Sequence, residues 1–135
     1  TNLTEKPSLP EIQGYLMLRE KLLKDGQERF IIGKENAPLG TLDFFEWDPS
    51  DKSAGIGIAL FPEQSRGKGY GKDALKLGLE WFFKFGECLV AEVQEWNTTS
   101  IAFFTKMGFQ KMGKIATDPG IGKWILEKEV WLKDE

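Results

Sequence analysis

The chain is best understood from one glycine-rich segment, Arg66-Gly67-Lys68-Gly69-Tyr70-Gly71-Lys72, which lies between a strand-like run and a helix-like run. The strand-like run is Gly55-Ile56-Gly57-Ile58-Ala59-Leu60, and the amphipathic helix-like run extends from Gly71 to Lys84. Glycines at alternate positions let a ligand approach the backbone N–H groups directly. The helix that follows adds the positive end of its dipole, and basic side chains add further positive charge. The segment therefore predicts a phosphate-binding loop.

Residues at fixed positions exclude two well-known phosphate loops. The nucleoside-triphosphate loop needs Gly, four residues and then Gly-Lys-Ser/Thr, but Arg66 stands at the first position and Asp73 at the last. The dinucleotide fingerprint needs a third glycine, and Lys72 occupies its position. The segment does match the pattern Gln/Arg-x-x-Gly-x-Gly/Ala through Arg66, Gly69 and Gly71. A surface turn rich in glycine and lysine is the simpler alternative for so short a match.

A second segment makes the assignment more specific. It begins at Asn97, just after a strand-like run, and closes on Lys106-Met107-Gly108-Phe109. The two segments together resemble the signatures of the GNAT superfamily of acyl-CoA-dependent N-acyltransferases, in which an asparagine, a short helix and Lys-x-Gly-Phe follow the pyrophosphate loop. The resemblance covers about residues 28–133. It looks closest to the branch of ribosomal-protein N-terminal acetyltransferases and spermidine acetyltransferases.

Composition limits the chemistry and the setting of the protein. Its 135 residues, 41% of them hydrophobic, fit one globular domain over residues 1–135. The absence of histidine excludes Ser-His-Asp and Cys-His catalysis and the zinc sites that use histidine. Cys88 is the only cysteine, so we expect a reduced strand residue, no intrachain disulfide and no metal site, as suits the cytoplasm.

Neither a membrane nor a nucleic acid is an expected partner. No apolar run has the length needed to span a bilayer, and the first residues, Thr1 to Lys6, lack the apolar core of a signal peptide. The net charge of −3 argues against a nucleic-acid binder, whose binding surface is usually basic.

Periodicity and turn residues predict an α/β chain. A capping box at Ser8-Leu9-Pro10-Glu11 starts a helix that ends at Asp25-Gly26. The helix from Gly71 to Lys84 presents an apolar stripe that we expect to face the core. The other predicted elements are strands Arg29–Gly33, Gly40–Phe45, Ala54–Leu60 and Cys88–Gln94, helix Thr99–Met107, and strands near Phe109–Ala116 and Lys123–Lys133 around a turn at Asp118-Pro119-Gly120.

This order, α-β-β-β-α-β-α-β-β, matches the mixed, mostly antiparallel sheet flanked by helices that the resemblance implies. Family members usually begin with a further strand and helix, for which this sequence has no residues before Ser8. We therefore expect one sheet edge to be missing or supplied by another chain, as a homodimer would do.

The resemblance also implies a groove for acetyl-CoA. In the family, the strands corresponding to Ala54–Leu60 and Cys88–Gln94 diverge, and the acyl-pantetheine arm lies between them. Gly55, Gly57 and Ala59 share one strand face and leave little side chain there, which also predicts a groove unless an aromatic from a neighbouring helix covers it. The implied coenzyme A contacts are Leu60 and Phe61 for the pantetheine amides, Arg66, Gly67, Lys68, Gly69, Tyr70, Gly71 and Lys72 for the pyrophosphate, and Asn97 and Phe104 in the second signature.

Acetyl transfer requires a neutral amine, and an alkylammonium has a pKa near 10.4, so a base or a desolvating site has to help remove its proton. N-terminal acetyltransferases of the family place a catalytic glutamate five residues before the asparagine. Glu92 holds that position here, on the strand face opposite Ala91 and Val93, and is the candidate base. The alternative carboxylates are Glu46, Asp48 and Glu95.

The general acid is not where the family usually keeps it. Many members carry a tyrosine seven residues after the asparagine, where this chain has Phe104, which cannot donate a proton. A thiol with a pKa near 8.5 needs little help to leave, so water or a nearby hydroxyl suffices. By resemblance, an amide of a bulged strand near Ala59 or Leu60 polarises the thioester carbonyl. The remaining hydroxyl donors are Tyr15, Tyr70 and Ser100.

The leading hypothesis is an enzyme that transfers acetyl from acetyl-CoA to a primary amine by direct attack in a ternary complex. The acceptor would be a polyamine, another small amine or a protein N-terminus. The alternative is a non-catalytic acyl-CoA-binding or regulatory domain, favoured by Phe104 and by the missing N-terminal elements. A third hypothesis is an interaction module built on Trp47, Trp96 and Trp131.

Overall fold

The computed structural model describes residues 22–34, 37–60, 70–115 and 117–133. Residues 22–25 are helical, and Gly26 ends this helix with a φ of +82° while its N–H donates to the Leu22 carbonyl at 2.9 Å. The predicted start of the helix at Ser8 lies outside the described residues. The later elements are β1 Glu28–Lys34, β2 Ala37–Asp48, β3 Ser53–Leu60, α1 Tyr70–Phe82, β4 Cys88–Gln94, α2 Thr98–Lys106, β5 Gln110–Ile115, β6 Asp118–Glu127 and α3 Lys128–Lys133.

The six strands form one sheet in the order β1-β2-β3-β4-β6-β5. Every neighbouring pair is antiparallel except β3 and β4, which are parallel. A parallel pair needs a crossover connection, and α1 lies in the connection between β3 and β4. The predicted mixed, mostly antiparallel sheet flanked by helices is confirmed.

Helix α1 packs on one face of the sheet through its apolar stripe, as predicted. Leu75, Leu79 and Phe82 are fully buried, and the Phe82 ring stacks on Phe44 of β2 with centroids 5.5 Å apart. Gly78 approaches β2 so closely that a Cβ atom there would collide with the Leu42 side chain. The charged side chains of Lys72, Lys76 and Glu80 on the opposite helix face are exposed.

The other face of the sheet is more exposed and is called the open face below. Strand β4 shows the alternation, since Leu89, Ala91 and Val93 are buried whereas Glu92 and Gln94 are exposed. Register places the neighbouring residues on the same open face. They include Arg29 of β1, Thr41, Asp43 and Phe45 of β2, Gly55, Gly57 and Ala59 of β3, and Lys123 and Ile125 of β6.

The C-terminal region differs from the prediction in two ways. Asp118 to Gly120 begin β6 instead of forming a separate turn, and Asp118 pairs with Ile115. Residues Lys128–Lys133 form α3 instead of extending the strand. Helix α3 buries Trp131 at 8% exposure, and its acidic Glu129 and basic Lys133 suit the two ends of a helix dipole.

Candidate functional site

Strands β3 and β4 separate part-way along their length. They pair at Ser53 with Cys88, at Ala54 with Leu89 and, finally, at Gly55 with Val90. Beyond this pair, β3 stays bonded to β2 as far as Leu60, and β4 stays bonded to β6 as far as Gln94. A wedge therefore opens between β3 residues 56–60 and β4 residues 91–94, and it is called the gap below.

Two backbone edges face each other across the gap without pairing to each other. Backbone N–H and C=O groups are strong hydrogen-bonding groups that need partners when they are covered. An extended ligand with amide groups can pair with such edges as an added strand does. Because β3 and β4 are parallel and pair only at their amino ends, the gap opens toward the carboxyl ends of both strands, where open α/β sheets usually bind ligands.

Two helices begin at the wide end of the gap. Helix α1 begins at Tyr70 after β3, and α2 begins at Thr98 after the short turn that follows β4. The Asn97 side chain caps α2, because its Oδ1 accepts a hydrogen bond from the Ser100 N–H at 3.2 Å. Both helices thus begin near the carboxyl ends of the strands they follow, where their dipoles favour an anionic ligand group.

The predicted coenzyme A residues are only partly within the described chain. Phe61, Arg66, Gly67, Lys68 and Gly69 lie outside the described residues. Leu60 is the last residue of β3, and Tyr70, Gly71 and Lys72 form the first turn of α1. With Asn97, these residues stand at the ends of the elements that border the wide end of the gap.

Phe104 lies in the hydrophobic core at 5% exposure. Its ring makes edge contacts with Phe109 at 5.1 Å and with Phe103 at 5.4 Å between centroids. The described contacts of Phe104 are therefore packing contacts. Among the hydroxyl donors, Ser100 is half-buried in the first turn of α2, and Tyr15 and the Tyr70 side chain lie outside the described residues.

Glu92 is an exposed residue of the β4 segment that borders the gap. Its side chain is on the open face, opposite Ala91 and Val93, which confirms the predicted orientation. Val90, two residues earlier on the same face, belongs to the last β3–β4 pair, and Lys123 of β6 is directly across from Glu92. Within the described part of the chain, Glu92 forms no ion pair.

Two of the alternative carboxylates are held by other partners. Glu95 pairs with Lys111 at 3.2 Å and with Lys114 at 3.6 Å. The hydrogen bond from Lys111 is the main cause that lowers the pKa of Glu95. Asp48 accepts from the Ser50 hydroxyl at 2.6 Å, and this bond is the main cause that lowers its pKa. A carboxylate with a lowered pKa is a weaker base, so both fit proton abstraction poorly.

Phe45 of β2 lies across the glycine-rich face of β3. It is paired directly with Gly55, and a Cβ atom on Gly55 would collide with its ring. A Cβ atom on Gly57 would stand 3.8 Å from the same ring, and Ala59 is exposed. An aromatic side chain therefore covers the first glycine, but it comes from a neighbouring strand and not from a helix.

The expected bulge near Ala59 or Leu60 is absent from β3. The β2–β3 register is continuous from the Gly40–Leu60 pair to the Phe45–Gly55 pair. The irregularity lies instead in β2 after Phe45, where Glu46 adopts a φ of +52°. The bulge thus occurs on the neighbouring strand, near the level at which β3 and β4 separate.

The tryptophans fit the third hypothesis only in part. Trp131 is buried and Trp47 packs against Phe82 at 6.0 Å between centroids, so these two are not exposed binding residues. Trp96 is 75% exposed in the turn before α2. None of the described helices has the length and apolar character needed to cross a bilayer.

Comparison with known proteins agrees with the fold. The model of the acetyltransferase (GNAT) family matches residues 3–109. The SPbeta prophage-derived uncharacterized N-acetyltransferase YokL of Bacillus subtilis (strain 168) is 29% identical over 100 residues. That match covers 73% of this chain but 56% of the relative, so this chain spans little more than half of its length.

Solved structures share the fold at low sequence identity. A spermidine N-acetyltransferase from Vibrio cholerae, in complex with CoA and spermine, has a TM-score of 0.73 at 16% identity, over 96% of this chain and 82% of that one. A dodecameric structure of spermidine N-acetyltransferase from the same organism has a TM-score of 0.75 at 16% identity, over 100% and 84%. The sheet with its gap, the two helix N-termini and the family match lead to one conclusion: the chain belongs to the acetyltransferase (GNAT) family.

Proposed function

We propose that this protein binds acetyl-CoA in the gap and transfers the acetyl group to a primary amine. The separation of β3 from β4 after the Gly55–Val90 pair is the observation that carries this proposal. It leaves two strand edges for the amides of pantetheine. The N-termini of α1 and α2 support a pyrophosphate site at the same end of the sheet.

The proposed binding roles combine the family resemblance with the positions of the described elements. The pyrophosphate binds the loop before α1, in which Arg66 and Lys68 supply positive charge. The pantetheine arm then runs from the wide end of the gap toward the Gly55–Val90 pair. Asn97 donates to this arm from its carboxamide nitrogen, because its carboxamide oxygen is occupied by the Ser100 N–H.

Glu92 acts as the general base in this proposal. It stands on the exposed face of β4 beside the gap, and it accepts a proton from the ammonium of the acceptor, directly or through one water. The neutral amine then attacks the thioester carbonyl carbon, the C–N bond forms, and the C–S bond breaks. The attacking nitrogen loses its second proton to solvent.

The departing thiolate takes its proton from water. Phe104 occupies the position of the usual tyrosine, and its ring is engaged in the core. A thiol pKa near 8.5 means that the thiolate is a good leaving group near neutral pH. The reaction therefore proceeds without a tyrosine acid, at a rate that depends mainly on the base and on carbonyl polarisation.

The acceptor is a cationic amine in water, since its pKa exceeds neutral pH. The net charge of −3 favours the approach of such a cation. The likeness to spermidine acetyltransferases makes polyamines the first acceptors to test, followed by other small amines and peptide N-termini. We place the activity in the cytoplasm, and a homodimer is the first assembly to test.

A non-catalytic acyl-CoA-binding domain is the second candidate, and the packing of Phe104 is the observation that favours it. The test combines calorimetric titration of acetyl-CoA with continuous detection of thiol release over a panel of polyamines, monoamines and peptides. The proposed enzyme releases thiol at a rate that rises with one class of amine. Binding without amine-dependent release would support the second candidate, and absence of binding would overturn both.

A further inference from the structure

Phe45 lines a cavity that lies beside β1 and β2. That cavity has a volume of about 430 Å³ and is lined by residues 27–29 and 43–45. Asp43 forms part of its wall, held by Arg29 through two hydrogen bonds of 2.7 and 3.0 Å. Phe45 is part of this lining, and its ring covers Gly55, which belongs to the last β3–β4 pair.

If acetyl-CoA binds as in the proposed function, on which this inference rests, its acyl group lies at the inner end of the gap, beside the Gly55–Val90 pair. With the pyrophosphate at the N-terminus of α1, the pantetheine arm has to point from the carboxyl ends of the strands toward Gly55. The thioester is at the far end of that arm, so the acyl chain points toward the narrow end of the gap. The ring of Phe45 stands there, over the backbone of β3.

We infer that Phe45 determines which acyl-CoA this protein accepts, by closing the inner end of the gap after two carbon atoms. The position of the ring follows from the pairing of β2 with β3. The backbone of Phe45 pairs with Gly55, its ring lies against Gly55 and near Gly57, and the β2 irregularity begins directly after Phe45. Removal of the ring joins the gap to the cavity beside Arg29 and Asp43, which gives a longer acyl chain room to extend.

The inference is tested with Phe45→Ala and Phe45→Leu against wild type. Acetyl-CoA and butyryl-CoA are compared by calorimetric Kd and, with the best amine acceptor, by kcat/KM. The butyryl-to-acetyl ratio is expected to rise by about tenfold or more in Phe45→Ala, with Phe45→Leu between, since each methylene in an apolar site changes selectivity by about 10–200-fold. Ile31→Ala, which removes a half-exposed apolar side chain from the same face outside the cavity lining, leaves the ratio unchanged.

The outcomes distinguish this inference from the function on which it rests. A wild-type protein that binds no acyl-CoA overturns the proposed function together with the inference. A wild-type protein that binds acetyl-CoA, with folded Phe45 variants whose butyryl-to-acetyl ratio does not move, overturns the inference alone. Phe45→Leu keeps most of the buried apolar area, so the test stands even where Phe45→Ala fails to fold.

Discussion

Gly55 and Val90 are the last residues through which β3 and β4 pair, and both strands continue beyond them without pairing to each other. A parallel pair that ends in mid-sheet leaves backbone edges that an extended, amide-containing ligand can satisfy. The position of this pair therefore sets the depth of the gap. In the proposed complex, the reacting end of acyl-CoA lies beside this pair.

The contact between Phe45 and Gly55 predicts a stability effect. Gly55→Ala should lower the free energy of unfolding by about 1–3 kcal/mol, because the added methyl group overlaps the Phe45 ring. Gly57→Ala is the matched control on the same strand face, since its methyl group would meet the ring at 3.8 Å, an ordinary contact. Urea unfolding of both variants measures the difference.

A double-mutant cycle combines Gly55→Ala with Phe45→Leu. The smaller side chain should recover much of the loss caused by Gly55→Ala, with a coupling free energy of about 0.5–3 kcal/mol, as expected for residues in contact. Strictly additive effects of the two substitutions would mean that the ring does not press on Gly55.

Glu92→Gln should reduce kcat by about 10²-fold or more, while the Kd for acetyl-CoA stays unchanged, because the amide cannot accept the amine proton. Steady-state thiol release and calorimetric titration measure the two quantities. Glu87→Gln is the control, since this exposed carboxylate precedes the opposite end of β4. Full activity of Glu92→Gln would remove Glu92 from the mechanism.

Asn97 has a capping role and a proposed binding role, which two substitutions separate. Asn97→Ala should lower the free energy of unfolding by about 1 kcal/mol, because the cap on Ser100 is lost. Asn97→Ser keeps a capping oxygen and should retain most of that stability. Both variants should bind coenzyme A about threefold to tenfold more weakly, which is the value of one hydrogen bond. Normal affinity in Asn97→Ser would show that Asn97 is only a cap.

The Glu95 ion pairs predict a pH dependence of stability. The pKa of Glu95 is lowered from its ordinary value of 4.5 in the folded protein, so the pairs stabilise the fold fully above that value. Their contribution is lost as the pH falls through the lower, folded-state pKa. Glu95→Gln should therefore reduce the urea midpoint at pH 7, and its difference from wild type should shrink below about pH 4.5.

The exposed Glu80→Gln serves as the control for this titration. High salt should also narrow the difference between wild type and Glu95→Gln at pH 7, because Lys111 and Lys114 are about half exposed. A difference that is constant from pH 7 to pH 3 would contradict the assignment of these pairs.

Local patterns in the sequence predict much of this architecture. The apolar stripe of α1 identifies its buried face, Asp25-Gly26 marks a helix end, and alternation along β4 places Glu92 on the exposed face. Each of these features depends on neighbours within a few residues. The order of the elements follows from the same periodicity and turn residues, and it matches the sheet that the family resemblance implies.

Contacts between residues that are distant in the sequence cannot be predicted from such local patterns. The position of Phe45 over Gly55 follows from the pairing of two strands, and the Glu95–Lys111 pair joins residues 16 apart. Residues Lys128–Lys133 carry Val130, Trp131 and Leu132 in a row, which suits a buried strand and a short helix equally well. In the folded protein this segment is helical, and Trp131 is buried.

The central claim, that coenzyme A binds as an added element between β3 and β4, is tested most directly by residue-resolved amide hydrogen exchange with and without coenzyme A. Amides of β3 residues 56–60 and β4 residues 91–94 that face the gap should exchange more slowly in the complex, whereas those of β1 should not change. Saturation with coenzyme A that leaves both gap segments at their original exchange rates would contradict the claim.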